Sequence, residues 1–116
     1  MPVLKIFYEE SLDVRVQAGR ADIQAGLERM MRETLKADPD KCQIVMCTAR
    51  HMSPKPVYVD MQFRANEYRT PAVVGEAMQQ VAEVLSKAIG AGTRIRAFEI
   101  DQSTLHAFEA EGQEQQ

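Results

Sequence analysis

The sequence contains no tryptophan, two cysteines and two histidines among its 116 residues. Cys42 and Cys47 are five positions apart, so on one strand their side chains would point to opposite faces and could not form a disulfide. The cysteines and histidines do not have the spacing of a metal site, and we therefore expect no metal. No apolar run approaches the length of a membrane span, so we expect that the protein does not associate with a membrane.

The chain also lacks an excess of basic residues, because 14 Lys and Arg stand against 17 Asp and Glu and give a formal net charge of −3. A surface that binds nucleic acid needs concentrated positive charge, so this balance argues against a nucleic-acid partner. The first ten residues have neither the basic nor the apolar segment of a signal peptide. We therefore expect a cytoplasmic protein.

What the sequence does contain is a regular series of apolar patterns. Its length of 116 residues suits one domain, which covers residues 1–116. Short apolar or alternating runs predict strands at residues 3–8, 42–49, 57–64 and 93–100. Apolar residues at steps of three and four predict a helix at residues 21–37, with Asp22 as its N-cap. A second helix is predicted from Thr70 and Pro71 to Gly90, with Thr70 as its N-cap. Residues 9–19 are interpreted as a polar connection, 53–56 as a turn and 102–116 as a tail.

The predicted order is β-α-β-β-α-β, which divides into two β-α-β halves at about residues 2–51 and 56–101. Each half should hold parallel strands, which predicts an α+β fold with a four-stranded mixed sheet and two helices on one face. The other face of the sheet needs cover, which further subunits could supply. A ferredoxin-like fold and a tautomerase-like fold both have this element order. A non-catalytic ferredoxin-like module that binds a small molecule or a protein is therefore the alternative to an enzyme.

Pro2 distinguishes these alternatives, because removal of Met1 would expose its ring nitrogen as a secondary amine. A free α-amino group titrates at about 7.7–8.0 and the proline amine is more basic. Burial and nearby cations would favour the neutral form and bring the pKa towards neutrality, where a general base works best. A strand follows directly and would hold the amine in place.

Four short segments extend this pattern along most of the chain: residues 1–6 (MPVLKI), 75–78 (GEAM), 97–101 (AFEID) and 105–108 (LHAF). In their order and spacing the sequence resembles the tautomerase superfamily, and within it the 5-carboxymethyl-2-hydroxymuconate isomerase branch of aromatic catabolism. The resemblance implies a cofactor-independent isomerase and a homotrimer with active sites near subunit interfaces. It also implies that Pro2 moves a proton on a small conjugated 2-oxo or 2-hydroxy acid, whose carboxylates are held by cationic side chains.

Arginine is the residue expected to hold a carboxylate, because its planar guanidinium matches the two oxygens. Arg64 ends the third predicted strand, Arg69 precedes the second helix, and Arg20 precedes the first, as in small 4-oxalocrotonate tautomerases that the sequence resembles there. Related proteins carry an arginine near the start of the second strand, where this chain has Gln43, which can donate a hydrogen bond but carries no charge. Phe63 corresponds to an apolar position that lies near the N-terminal proline in these related proteins. The predicted site is therefore Pro2 with Arg64, Arg69, Arg20, Gln43 and Phe63.

Overall fold

A computed structural model describes residues 2–50 and 55–112. The predicted turn at residues 53–56 and the end of the tail lie partly outside the described residues. The strands are β1 (Val3–Glu9), β2 (Gln43–Ala49), β3 (Val57–Arg64) and β4 (Thr93–Ile100). The helices are α1 (Asp13–Ala18), α2 (Arg20–Glu33) and α3 (Pro71–Ile89), and short 3-10 turns lie at Glu10–Leu12, Pro39–Lys41 and Gln102–Thr104.

The strands form one mixed sheet in the order β2-β1-β3-β4. β1 is parallel to β2 and antiparallel to β3, and β3 is parallel to β4. Both parallel pairs are adjacent strands from the same half of the chain. A ferredoxin-like sheet would insert another strand between the parallel strands of each half, so the observed order excludes that fold. The predicted α+β architecture, with a four-stranded mixed sheet and the helices on one face, is confirmed.

The core lies between this sheet and the helices, and strict alternation along the strands builds it. In β3 the residues Val57, Val59, Met61 and Phe63 are all 0–1% exposed, whereas the residues between them are half-buried. Alternate residues of β1 share this face, because Leu4 pairs with Met61. The predicted apolar stripe of the first helix packs against them through Ile23, Leu27, Met30, Met31 and Leu35. Apolar side chains that repeat every second residue in the strands therefore pack against those that repeat about every 3.6 residues in the helices, in one shared layer.

Helix α3, the second of the two predicted helices, begins and ends as the sequence predicts. The Thr70 side chain accepts a hydrogen bond from the Val73 N–H at 3.3 Å, and Pro71 is the first helical residue. Gly90 follows the helix with φ of 69°, a conformation that glycine adopts without steric cost.

The start of the first long helix differs from the prediction. Asp22 is not an N-cap, because α2 begins at Arg20 after Gly19 and places Asp22 within the first turn. The connection predicted at residues 9–19 contains the separate helix α1, whose Val16 is buried in the core. At the other end Lys36 has a left-handed φ of 53°, and the Ala37 N–H reaches back to the Met31 carbonyl at 2.9 Å. The left-handed residue and this backbone hydrogen bond close the helix a few residues before the predicted end.

The other face of the sheet, which we call the open face, has no helix packed on it among the described residues. The side chains of β3 that alternate with the core residues lie there, and so does Phe98 of β4, which is 47% exposed. Two buried polar atoms on this face, Asp60 Oδ1 and Arg64 Nε, have no described hydrogen-bond partner. Within residues 2–50 and 55–112, no helix is long and apolar enough to cross a membrane.

Candidate active site

One edge of the sheet collects most of the predicted site residues. β1 and β2 begin at this edge and β3 and β4 end there, because the two parallel pairs run in opposite directions. Pro2, Gln43 and Arg64 therefore occupy neighbouring strand ends, although they are far apart in the sequence. We call this edge the Pro2 edge.

Pro2 is buried and is held to the neighbouring strand, since its carbonyl accepts a hydrogen bond from the Gln43 N–H at 3.1 Å. The next residue, Val3, pairs with Gln43 on one side and with Gln62 on the other. Continuing each register by one residue towards this edge places Cys42 and Phe63 on either side of Pro2. Because side chains alternate along strands, all three lie on the helix-covered face. Adjacent strands are about 4.8 Å apart, so these three residues are immediate neighbours.

Phe63 supplies an apolar wall at this position. Its side chain is 1% exposed and belongs to the main core. The structure therefore places Phe63 beside Pro2, where an apolar surface would disfavour the charged form of an amine.

Arg69 is a buried cation at the Pro2 edge, with 7% of its surface exposed. Its Nε donates to the Leu35 carbonyl at 3.3 Å and its Nη1 to the Arg64 carbonyl at 2.8 Å. The guanidinium carbon lies 5.8 Å from the centre of the Phe63 ring, a cation–π distance. These contacts join the segment just after α2 to the end of β3. Burial lowers the pKa of Arg69 from its usual value, but arginine remains charged in proteins.

Arg64 and Gln43 lie on the opposite face of the sheet from Phe63. Arg64 follows Phe63 in β3, so its side chain points to the open face, where its Nε is buried without a described partner. Gln43 is the register partner of Val3 and is exposed on the same face. Both side chains lie at the Pro2 edge, on the open face.

Arg20 is separated from this group. It lines a groove of about 520 Å³ between the helices and β2, together with Tyr8, Glu28, Cys42 and Met46. Tyr8 is six residues from Pro2 along β1, and a strand rises about 3.3 Å per residue. The part of the groove beside Tyr8 is therefore about 20 Å from Pro2, whereas the part beside Cys42 adjoins it. Arg20 begins α2, whose 14 residues span about 21 Å and end near Leu35 and Arg69 at the Pro2 edge. Arg20 therefore lies at the far end of the groove, and within one protomer it cannot hold the same small molecule as Pro2.

Cys42 is the neighbour of Pro2 that the sequence reasoning did not select. Its thiol donates to the Asp38 carbonyl at 3.2 Å. Burial raises the pKa of Cys42, the charge of Arg69 acts against this rise, and the charges of Asp38 and Glu28 add to it. The thiol is therefore protonated near neutral pH. Its place beside Pro2 follows from the β1–β2 register, which no motif in the sequence specifies. Elsewhere in the described part of the chain, no group of three or more Cys, His, Asp or Glu is placed to hold a metal ion.

Comparisons with known proteins give a clear result for the fold. No family model matches the sequence, and no curated protein matches it. Among solved structures, a fused 4-OT symmetric trimer matches with a TM-score of 0.75 at 10% identity, covering 90% of each chain. N1, of the cis-3-chloroacrylic acid dehalogenase family, matches with a TM-score of 0.74 at 13% identity, covering 91% of this chain and 80% of the other. Pt0534 inactivated by 2-oxo-3-pentynoate matches with a TM-score of 0.73 at 9% identity, covering 90% of each chain.

The matched structures include members of the tautomerase superfamily, and the chain has their fold over nine-tenths of its length. At identities of 9–13% the likeness concerns the fold. Activity has to be argued from the Pro2 edge.

Proposed function

We propose that the protein is an isomerase of the tautomerase type, in which Pro2 acts as general base and general acid. The observation that carries this proposal is the position of Pro2, buried at a strand end between Cys42 and Phe63, the residue over whose ring the buried Arg69 lies. The likeness of the fold to tautomerase-superfamily structures supports it. Removal of Met1 would leave a secondary amine at this position.

The proposed reaction moves one proton and needs no cofactor. The neutral amine takes a proton from oxygen or carbon at one end of a conjugated 2-hydroxy or 2-oxo acid. The resulting ammonium returns a proton to another carbon, so the amine is regenerated and the substrate keeps its composition. The apolar wall of Phe63 favours the neutral amine before the reaction.

The substrate carboxylate is assigned to Arg64. Its side chain lies at the Pro2 edge, and a guanidinium can donate two parallel hydrogen bonds to a carboxylate. Gln43 lies on the same face and can donate a further hydrogen bond without adding charge. We therefore propose a small substrate that resembles those of 5-carboxymethyl-2-hydroxymuconate isomerases. Arg20 could reach such a substrate only from a neighbouring protomer.

We infer a homotrimer as the working form. Several of the matched 4-OT structures are trimers, and the open face carries polar atoms that lack partners within the described protomer. Docking of other copies on this face would supply those partners and enclose the Pro2 edge.

The first test combines the mass of the mature chain with turnover. We expect intact mass spectrometry to show that Met1 is absent, and the protein to isomerise 2-hydroxymuconate-like dienols or phenylenolpyruvate. Pro2→Ala should reduce turnover by about tenfold or more, because the α-amine that alanine leaves is primary, less basic and not held by a ring. Pro71→Ala, which removes a proline at the start of α3, is the control and should keep its turnover.

A covalent reagent gives a second test. 2-Oxo-3-pentynoate should react with the amine by addition across its triple bond, which forms an N–C bond and adds the reagent mass to the N-terminal peptide. A folded Pro2→Ala variant with full turnover would contradict the role of Pro2. A folded chain without Met1 that neither turns over these acids nor takes up the reagent would favour a non-catalytic binding module on the same fold.

A further inference from the structure

The groove between α2 and β2, which we call the β2 groove, adjoins the Pro2 edge. Its volume of about 520 Å³ lies in the range of pockets that enclose a small organic molecule. Cys42, Ile44 and Met46 line it on the strand side, and Ile23 and Met31 line it on the helix side. Because the continued β1–β2 register places Cys42 beside Pro2, the groove begins next to the proposed base.

The apolar lining of the β2 groove follows from the place of β2 in the sheet. Cys42, Ile44 and Met46 alternate along the strand and face the helices, as the core residues of β1 do. β2 is an edge strand, so no further strand of the described chain lies beside it. The three side chains are therefore half-buried, whereas their counterparts in β1 are fully buried. A bound apolar group would cover their remaining surface, which is favourable.

The β2 groove leads away from Pro2 along the strand. Cys42 and Met46 are four residues apart, which is about 13 Å in a strand and the length of an alkyl chain of about ten carbons. Arg20 lies beyond the reach of such a chain, at the far end of the groove. The groove is on the helix-covered side of the sheet, so subunit contacts on the open face would leave it unobstructed.

One negative charge lies along this path. Glu28 of α2 lines the β2 groove and is half-buried. Its carboxylate accepts a hydrogen bond from Gln24 Nε2 at 3.0 Å, and this partner carries no charge. The charge of Glu28 acts on Cys42, so it is felt at the Pro2 end of the groove. A second carboxylate placed in the groove would therefore be repelled.

We propose that the β2 groove binds an uncharged, apolar substituent of the substrate, and that Glu28 excludes substrates with a second carboxylate there. The substrate class is then a conjugated 2-oxo or 2-hydroxy acid with an alkyl chain of up to about ten carbons. The acid and the reacting carbons lie at Pro2, and the chain lies along β2. This inference rests on the proposed function, because it names the substrate class of the Pro2 site. Glu28 is a specificity-determining residue and takes no part in the proton transfer.

A series of 2-hydroxy-2,4-dienoates with alkyl chains of increasing length tests the apolar subsite in the unaltered protein. We expect kcat/KM to rise by about twofold for each added CH2, less than for complete burial because one side of the groove is open. The rise should stop at chains of about ten carbons. It should appear in KM, because the chain is buried equally before and during the reaction. A kcat/KM that does not change with chain length would overturn the proposal.

Substitution of Glu28 tests the exclusion of a second carboxylate. Two substrates are compared, which have the same chain with and without a terminal carboxylate. Glu28→Gln removes the charge and should raise kcat/KM for the carboxylated substrate by about tenfold, while the alkyl substrate changes by less than about twofold. Glu28→Asp keeps the charge and should keep the discrimination. Glu83→Gln is the matched control, because Glu83 is exposed on α3 and does not line the groove. An unchanged ratio of the two substrates in Glu28→Gln would overturn the role of Glu28.

NMR of the full chain labelled with methyl-¹³C methionine follows binding without turnover. Met31 and Met46 line the β2 groove, whereas Met61 is a core residue outside it. 2-Oxododecanoate should shift the Met31 and Met46 signals and leave that of Met61 in place, and 2-oxobutanoate should shift none of them. These shifts in a protein that turns over none of the acids would contradict the proposed function and support the groove as a binding site. Turnover without these shifts and without a dependence on chain length would overturn this inference and leave the role of Pro2 intact.

Discussion

Tyr8 and Asp13 join the end of β1 to the start of α1 through a hydrogen bond of 2.6 Å from the tyrosine hydroxyl to the carboxylate. Burial, and then the hydrogen bond and charge of Asp13, raise the pKa of Tyr8 to about 12. The hydrogen bond from Tyr8 lowers the pKa of Asp13. Because the folded protein favours the protonated phenol, this stabilisation is fully present below about pH 10 and is lost as the pH rises through about 12.

Tyr8→Phe should lower the free energy of unfolding at pH 7 by about 1.5 kcal/mol, the lower end of the range for a hydrogen bond to a charged acceptor, because Asp13 is partly exposed to solvent. The variant should also lose part of the alkaline decrease in stability between pH 10 and 12. Urea unfolding at several pH values measures both effects. Asp13→Ala and the double variant complete a mutant cycle, and additive effects of the two changes would show that the pair is not coupled.

At the residue scale, alternation along β3 predicted that Phe63 is buried, and its register position beside Pro2 needed only the pairing of β1 with β3. The carbonyl contacts of Arg69 could not be predicted, because they join residues 34 and five positions away through backbone atoms that carry no sequence signature. Cys42 was missed for a similar reason. Its relation to Pro2 depends on the β1–β2 register, and a shift of one residue would have turned it to the other face.

At the level of the elements, α2 and α3 approach closely where Gly26 faces Val84. A Cβ on Gly26 would lie 2.7 Å from Val84 Cγ2, and a valine in a helix has little rotamer freedom with which to move away. Gly75, in α3, has nothing within 4 Å of the same added atom. The two helical glycines therefore form a matched pair.

Gly26→Ala should lower the free energy of unfolding by about 1–2 kcal/mol, because overpacking outweighs the better helix propensity of alanine. Gly75→Ala should raise it by about 0.5–1 kcal/mol through propensity alone. Chemical denaturation of both variants compares them directly. Adding Val84→Ala to Gly26→Ala should recover part of the loss. Stabilisation by Gly26→Ala alone would show that the helices can separate without cost.

The α1 helix shows why some elements resist prediction. It has six residues, and Val16 is its buried residue, so it carries no repeated apolar stripe. The long helix α3 has four fully buried positions, together with an N-cap and a glycine at its end, and was predicted closely. A long element with a repeated apolar pattern, such as α3, could therefore be predicted from the sequence, whereas the short α1 could not.

For the whole molecule, the sequence predicted the layers but not the order of the strands. The β-α-β halves follow from periodicity, whereas the pairing of β1 with β3 is set by contacts across the middle of the sheet. This pairing brings Pro2 beside Phe63 and leaves the open face with a half-exposed aromatic residue and two polar atoms in need of partners. The same topology thus creates both the Pro2 edge and a face that other copies could cover.

The open face gives the last prediction, which concerns assembly. Phe98 is 47% exposed there, and Arg96 lies two residues away on the same strand face. Phe98→Lys would bring a further positive charge to a surface that we expect to be dehydrated in a homotrimer, and burial of such a charge is costly. Light scattering should therefore show a trimer for the unaltered protein and smaller species for the variant.

Val14→Lys is the control for this change. Val14 is 81% exposed on α1, in the helix layer, so this substitution should leave the trimer intact. A Phe98→Lys protein that remains trimeric would place the subunit contact elsewhere, and Asp60 Oδ1 and Arg64 Nε would then need partners other than a second copy of the chain.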